Sequence, residues 1–204
     1  MASPGSRFDF ASDDPSGHYF YLPQTARPPR ARTQWLALRL RLHRFVANTP
    51  ASHFAIVLRA RLGFDASGRA VSISGRGMTF GDTSQAQPVA GNPYAQAAGF
   101  GGARGAQVES FWPGGNFLYQ DASVLPAGIE DDVDYTIELR VDDERRIELG
   151  VTAAGGAPQR TRIQDRAEHP VIADATGVLI GVGRGPVEAG PWRAELRDIL
   201  TGWN

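Results

Sequence analysis

Gln34-Trp35-Leu36-Ala37-Leu38-Arg39-Leu40-Arg41-Leu42-His43 is the stretch on which the reading of this chain turns. Leu36, Leu38, Leu40 and Leu42 alternate with Ala37, Arg39, Arg41 and His43. A period of two puts the leucines on one face of an extended strand and the arginines on the other. Leucine and arginine both favour helices, but a helix would scatter those four leucines around its circumference, so the alternation predicts a strand. Ala47-Asn48-Thr49-Pro50 then supplies turn chemistry. The next run repeats the design: Phe54, Ile56, Leu58, Ala60, Leu62 and Phe64 are expected on one face, and Val57, Arg59 and Arg61 on the other. Asp65-Ala66-Ser67-Gly68 closes it.

The same signal recurs outward from there. Val71, Ile73, Met78 and Phe80, broken by Gly75, Gly77 and Gly81, read as short strands with bulges or bends. Residues 83–104, rich in Gln, Ala, Gly and Pro, are the longest unpatterned stretch, of the kind that is usually functional or mobile. Strand character returns at Ala106–Trp112, turns at Pro113-Gly114-Gly115-Asn116 and resumes at Phe117-Leu118-Tyr119. Tyr135, Ile137, Leu139 and Val141 alternate with Thr136, Glu138 and Arg140; Asp142-Asp143-Glu144-Arg145 makes a hairpin turn; Ile147, Leu149 and Val151 form the return strand. Arg160–Ile163, Gly177–Val182 and Trp192–Ile199 complete the pattern, although Ala194–Leu200 also suits a short helical turn. Many short strands punctuated by turns predict an all-β sandwich or barrel.

Composition agrees. In 204 residues, 24 glycines and 14 prolines without a Gly-X-Y period imply many turns. The length suits one sandwich domain, residues 34–204, preceded by an N-terminal arm, residues 1–33. That arm holds Pro4, Pro15, Pro23, Pro28 and Pro29, which argue against regular structure through most of it. Its cluster Phe8, Phe10, Tyr19, Phe20 and Tyr21 argues against plain disorder. An arm packed on its own domain or on a neighbour fits both, with Phe8-Asp9-Phe10 as a short opening strand. A net charge of -1 recommends neither nucleic acid nor an anionic membrane as partner. All 21 basic residues are arginine and there is no cysteine, so no disulfide or thiolate metal site is expected. Met1-Ala2-Ser3-Pro4-Gly5 lacks the basic start and apolar run of a secretory signal, and no stretch reaches membrane-spanning length. The expectation is a soluble chain made in the cytoplasm, with later release in a larger particle left open.

Three stretches together resemble a known superfamily. Tyr135–Asp143 followed by Ile147-Glu148-Leu149 looks like a hairpin of the concanavalin A-like lectins and glucanases. Gly105–Phe111 resembles the strand that carries catalysis in the laminarinase-like enzymes, and Trp192–Ile199 resembles the closing strand. The resemblance spans roughly residues 34–200 and implies a two-sheet antiparallel β-sandwich, a jelly roll with one concave face that grips carbohydrate. Enzymes of that family set acidic residues at alternate positions of one strand, so that two carboxylates flank a glycosidic bond. Here those positions hold Gln107, Glu109 and Phe111. With a single carboxylate the retaining reaction lacks its partner, and the expectation is no enzyme.

The best local candidate for binding is Trp112, Asn116, Tyr119 and Asp121 around the Pro-Gly-Gly turn, with Glu109 nearby. An aromatic wall and a few convergent polar groups are how small pockets hold ligands. Trp112 and Tyr119 serve equally well as core residues, and Glu109 as an ion-pair partner for a neighbouring arginine. Asp131, Asp132, Asp134, Asp142 and Asp143 raise calcium, but their spacing fits no EF-hand loop and a solvated acidic turn is expected instead. Arg39, Arg41, Arg59, Arg61 and Arg140 are expected on polar faces, paired with Glu138, Glu148 and Glu195; the alternative is a basic patch for a phosphate or sulfated glycan, which the near-zero net charge disfavours. The four histidines are scattered, Gly-x-Ser-x-Gly is absent, and the glycine-rich stretches lack the lysine of a phosphate loop; no cofactor or metal is expected. Three functions remain open: a non-catalytic lectin-like module for glycan or polysaccharide; a structural or assembly protein of a phage particle or other large assembly, contacting itself or other subunits through the arm; and an atypical glycoside hydrolase or polysaccharide lyase.

Overall fold

The computed structural model describes residues 7–12, 18–23, 25–43, 53–64, 66–67, 70–81, 106–111, 118–124, 130–164, 175–183 and 192–204. Those residues form strands β1 (Arg7–Ser12), β2 (His18–Leu22), β3 (Thr33–His43), β4 (His53–Phe64), β5 (Ala70–Gly81), β6 (Ala106–Phe111), β7 (Leu118–Val124), β8 (Asp134–Asp142), β9 (Arg146–Ala153), β10 (Gln159–Gln164), β11 (Gly177–Gly183) and β12 (Trp192–Trp203). Two antiparallel six-stranded sheets result: sheet I in the order β1-β12-β3-β8-β9-β10 and sheet II in the order β2-β11-β4-β5-β6-β7. No helix of the described residues is long and apolar enough to cross a membrane.

The leucine alternation of β3 does what it predicts. Leu36, Leu38, Leu40 and Leu42 are buried in the core, joined on sheet I by Ile137, Leu139, Val141, Ile147, Leu149 and Val151. Phe54, Ile56, Leu58, Met78, Val178 and Ile180 of sheet II belong to the same cluster. Removing each such side chain from water stabilises the fold by roughly 1.5–3 kcal/mol, so the two inner faces fix the sandwich. The hairpin at 142–145 forms as expected: the Arg145 N–H donates to the Asp142 carbonyl at 3.2 Å, with Arg145 at a φ of 66.

In three places the structure departs from the expectation. The proline-rich N-terminal segment contributes, besides the expected opening strand β1 paired with β12, a second strand, β2, paired with β11; its prolines fall before, between and after these strands, where no ladder donor is lost. Next, β4 does not keep one phase from Phe54 to Phe64. Its register against β5 shifts between Leu58 and Arg61, and Arg59 adopts a φ of 52. A bulge adds a residue and flips the faces beyond it. Leu58 therefore lies in the main core, whereas Ala60 joins Ala55, Val57 and Leu179 in a second apolar cluster with Leu62 packed against it. Phe64 ends 56% exposed. Arg59, expected on a polar face, is buried at 5% exposure. Third, β5 is one strand rather than several: Gly75 and Gly77 keep it continuous where it presses on β4, for a Cβ at Gly77 would stand 1.8 Å from the Ile56 carbonyl oxygen. Ala194–Leu200 is extended, within β12, as the strand pattern has it, and carries a bulge of its own at Asp198, whose φ is 53.

Candidate functional site

Strand register places part of the sequence-derived site together. Val108 of β6 lies opposite Met78, whose side chain is in the core. Glu109, the next position, lies in register directly between Gly77 of β5 and Tyr119 of β7. Gln107 lies between Thr79 and Ser123, and Phe111 opposite Gly75. Asp121 falls in an irregularity of β7, because Val108 pairs with Gln120 and Gln107 with Ser123. Trp112 and Asn116, like the stretch 83–104, lie outside the described residues. None of the positions paired with Glu109 or alternate to it along β6 carries a second carboxylate.

The outer face of sheet I is a grid of charge. Across the sheet, one row runs Gly202, Trp35, Arg140, Glu148, Arg162, and the next Leu200, Ala37, Glu138, Gly150, Arg160. Arg160 meets Glu138 and Arg162 meets Glu148, each at 3.2 Å. Arg193 contacts Glu195 at 2.7 Å. Glu138, Glu148 and Glu195 are thus paired, but not by the arginines expected to hold them: Arg39 meets Asp198, Arg41 Asp134 and Arg59 Asp143, and the Arg193–Glu195 pair lies within β12 rather than across strands. A depression of about 300 Å³ lies over Gly150, lined by Glu138, Arg140, Glu148, Arg160 and Arg162. A second, also about 300 Å³, adjoins it along β8 and β9, lined by Arg39, Thr136, Thr152 and Arg197 among others.

The acidic loop and turn are partnered rather than merely solvated. His43 sets Nδ1 2.5 Å from Asp132 Oδ1 and Nε2 3.1 Å from Glu195 Oε1. Asp134 accepts from Arg41 at 3.3 Å and also from Arg197. Asp142 caps the hairpin, accepting from the Arg146 N–H at 2.9 Å. Among the described residues no group of three or more His, Asp or Glu could hold a metal ion.

Asp143 does something the sequence did not suggest. Its carboxylate accepts from Arg27 at 2.6 Å, Arg59 at 2.7 Å and Arg32 at 3.1 Å. Burial pushes this carboxyl up, but the hydrogen bonds from Arg59, Arg32 and Arg27 outweigh it and hold the group below its ordinary value. Burial lowers Arg59 from its ordinary value, with Asp143 opposing. Arg59 and Arg27 also lie over the Trp203 ring, 4.4 and 4.9 Å from its centroid. Trp203 Nε1 donates to Thr25 Oγ1 at 2.8 Å, and fully buried Gln34 donates to the Thr176 carbonyl at 2.8 Å while accepting from the Arg59 N–H at 2.7 Å. This network ties β3, β4, β12 and the 142–145 turn together at one end of the sandwich.

No protein-family model matches the sequence, and no curated protein matches it. Solved structures do. A marine PL-14 alginate lyase from Aplysia kurodai aligns with a TM-score of 0.54 at 7% identity over 87% of this chain and 72% of the lyase. The binding domain of botulinum neurotoxin DC in complex with SialylT aligns with a TM-score of 0.52 at 8% identity, over 96% of this chain and 38% of that one. A botulinum neurotoxin type C structure, from work describing cell entry dependent on two ganglioside molecules, gives 0.50 at 8% over 96% of this chain and 38% of that one. The chain has a two-sheet antiparallel jelly-roll sandwich, the fold it shares with these structures. At such identities the likeness is one of fold, and ligand chemistry has to be argued from the site.

Proposed function

We propose that the chain is a non-catalytic carbohydrate-binding module whose ligand contacts come from Glu109, Trp112, Asn116, Tyr119 and Asp121. The observation that carries this reading is the direct pairing of Glu109 with Tyr119, with Gly77 on the other flank. A carboxylate accepts sugar hydroxyls, an aromatic ring takes a sugar's C–H face, and glycine contributes no side chain to compete for the space. Hydrolysis with retention needs a second carboxylate about 5–5.5 Å away, and Gln107, Phe111, Gly77 and Tyr119 provide none. The names of the structural neighbours, which include a toxin binding domain with SialylT and an alginate lyase, support saccharide as the ligand class.

A glycan array read with the unaltered chain, Glu109→Gln, Tyr119→Ala and Trp112→Ala tests this. Retention of at least one saccharide class is expected, weakened about tenfold by Tyr119→Ala, the loss of one stacking contact and its apolar cover. No glycan bound, or products released from β-glucan or alginate, overturns it. A second reading, a component of a particle or other assembly, is favoured by Phe20 and Leu22 of edge strand β2, which are 38% and 40% exposed. Light scattering of the unaltered chain and of Phe20→Ser/Leu22→Ser decides it: a monomer in both removes that reading.

A further inference from the structure

We propose a second saccharide site, on the outer face of sheet I, that takes an acidic oligosaccharide through the carboxylates of its uronate units. It lies on the sheet that does not carry Glu109, and it stands whether or not the β6–β7 site binds sugar.

Arg140 is the starting point. It is exposed, it lines the depression over Gly150, and among the described residues it pairs with no carboxylate. The other arginines of the depression, Arg160 and Arg162, are held by Glu138 and Glu148. Among the described residues that line the depression, Arg140 is therefore the guanidinium whose donors no carboxylate takes, beside two arginines that meet Glu138 and Glu148. A guanidinium offers paired N–H donors that match the two oxygens of a carboxylate. Glu138 and Glu148 keep lone pairs for the hydroxyls of the same sugar. Gly150 makes the floor, and its missing side chain is what leaves the space.

Two neighbours extend the match. Trp35 is the register partner of Arg140 on its other side. Its indole lies close over Gly202, where a Cβ would stand 3.0 Å from the ring. A flat aromatic surface beside a free cation suits a ring that is apolar on one face and anionic at its edge. Along β8, the second depression begins where the first ends, and brings Thr136, Thr152, Arg39 and Arg197 to the same face. The Arg140 row and the Thr136 row are four residues apart, about 13 Å of strand. Successive outward positions of β8 thus line two depressions, a span longer than a single sugar, and the ligand it fits is a short chain of uronates.

The test is titration of the full chain with trigalacturonic acid and with its carboxyl-reduced, neutral counterpart, followed calorimetrically and by amide shifts of β8 and β9. Arg140→Gln replaces an exposed, unpaired side chain and is expected to leave the melting temperature unchanged, while weakening the acidic trimer about tenfold, as for one lost charge-assisted pair. Gly150→Leu, which fills the depression, is expected to do the same. Glu109→Gln is expected to leave this binding intact. Equal affinity for the acidic and neutral trimers, or no loss in Arg140→Gln, overturns the proposal. So does loss on Glu109→Gln alone, which would locate the saccharide at β6–β7 and leave the first reading standing.

Discussion

Arg59, from a bulge in the middle of β4, donates to Asp143, in the β8–β9 turn of the opposite sheet, at 2.7 Å. The pair joins the two sheets at one end of the sandwich. Arg59 is nearly enclosed, so the pairing matters more for what its loss leaves behind than for its net worth. Asp143→Asn is expected to destabilise the chain by about 3 kcal/mol, since a buried guanidinium then has no counter-charge. Urea unfolding measures it. A loss under about 0.5 kcal/mol would show that Arg59 finds water or another partner.

The same carboxylate gives a signed pH dependence. Burial raises its affinity for protons, yet the hydrogen bonds from Arg59, Arg32 and Arg27 prevail, so its folded value lies below the unfolded one. Its contribution is then complete above the unfolded value, about 3.9, and is lost as pH falls through the folded value. Stability should drop on acidification below about pH 4. The Asp143→Asn protein should show a shallower drop; parallel acid profiles for the two proteins would refute the assignment.

Gln34 is a polar residue in the inward phase of β3, and it is fully buried. Its side-chain oxygen satisfies the Arg59 N–H at the bulge. Gln34→Leu keeps the volume near and removes the acceptor, leaving that buried N–H unpaired at a penalty of roughly 1–3 kcal/mol. Hydrogen exchange offers a local readout: the Arg59 amide should exchange faster in the variant relative to the amides of β8. Unchanged protection would mean that the bulge is held by something else.

Glycines at two positions should respond differently to the same methyl group. At Gly77 a Cβ collides with the Ile56 carbonyl 1.8 Å away, which forces backbone apart. Gly77→Ala is expected to lose about 3 kcal/mol, at the upper end for overpacking. At Gly155 nothing lies within 4 Å, but the φ of 75 is one that alanine adopts at a penalty of about 1 kcal/mol. Thermal melts of the two variants check the order; Gly155→Ala being the worse would contradict the strand geometry described for β5.

The sandwich was legible because its information is periodic. Four leucines at alternate positions of β3, and the matching series in β8 and β9, state both the element and its inner face. What escaped was aperiodic. The phase of β4 turns over at one residue, Arg59, whose positive φ leaves no mark in composition, and with it went the face of Ala60 and Leu62. The roles of Asp143 and Trp203 escaped for another reason: their partners Arg27, Arg59 and Thr25 are far away in the chain, and only folding brings them near. Of the candidate site, the pairing of Glu109 with Tyr119 followed from two adjacent strands, whereas the bulge at Asp121 did not. Trp35, Arg140 and Gly150 come from three strands, and no local motif announces their neighbourhood.

β1 pairs with β12 and β2 with β11, so residues 7–12 and 18–22 each wait for strands made more than 150 residues later. On a ribosome these two segments emerge long before their docking edges exist. Folding of the central strands can proceed without them, but β1 and β2 join their sheets only after β12 and β11 have been made. A polypeptide arrested before residue 177 would hold an aromatic-rich opening segment with neither of its pairing strands, and for that interval a chaperone, or another molecule's exposed edge, has the first claim on it.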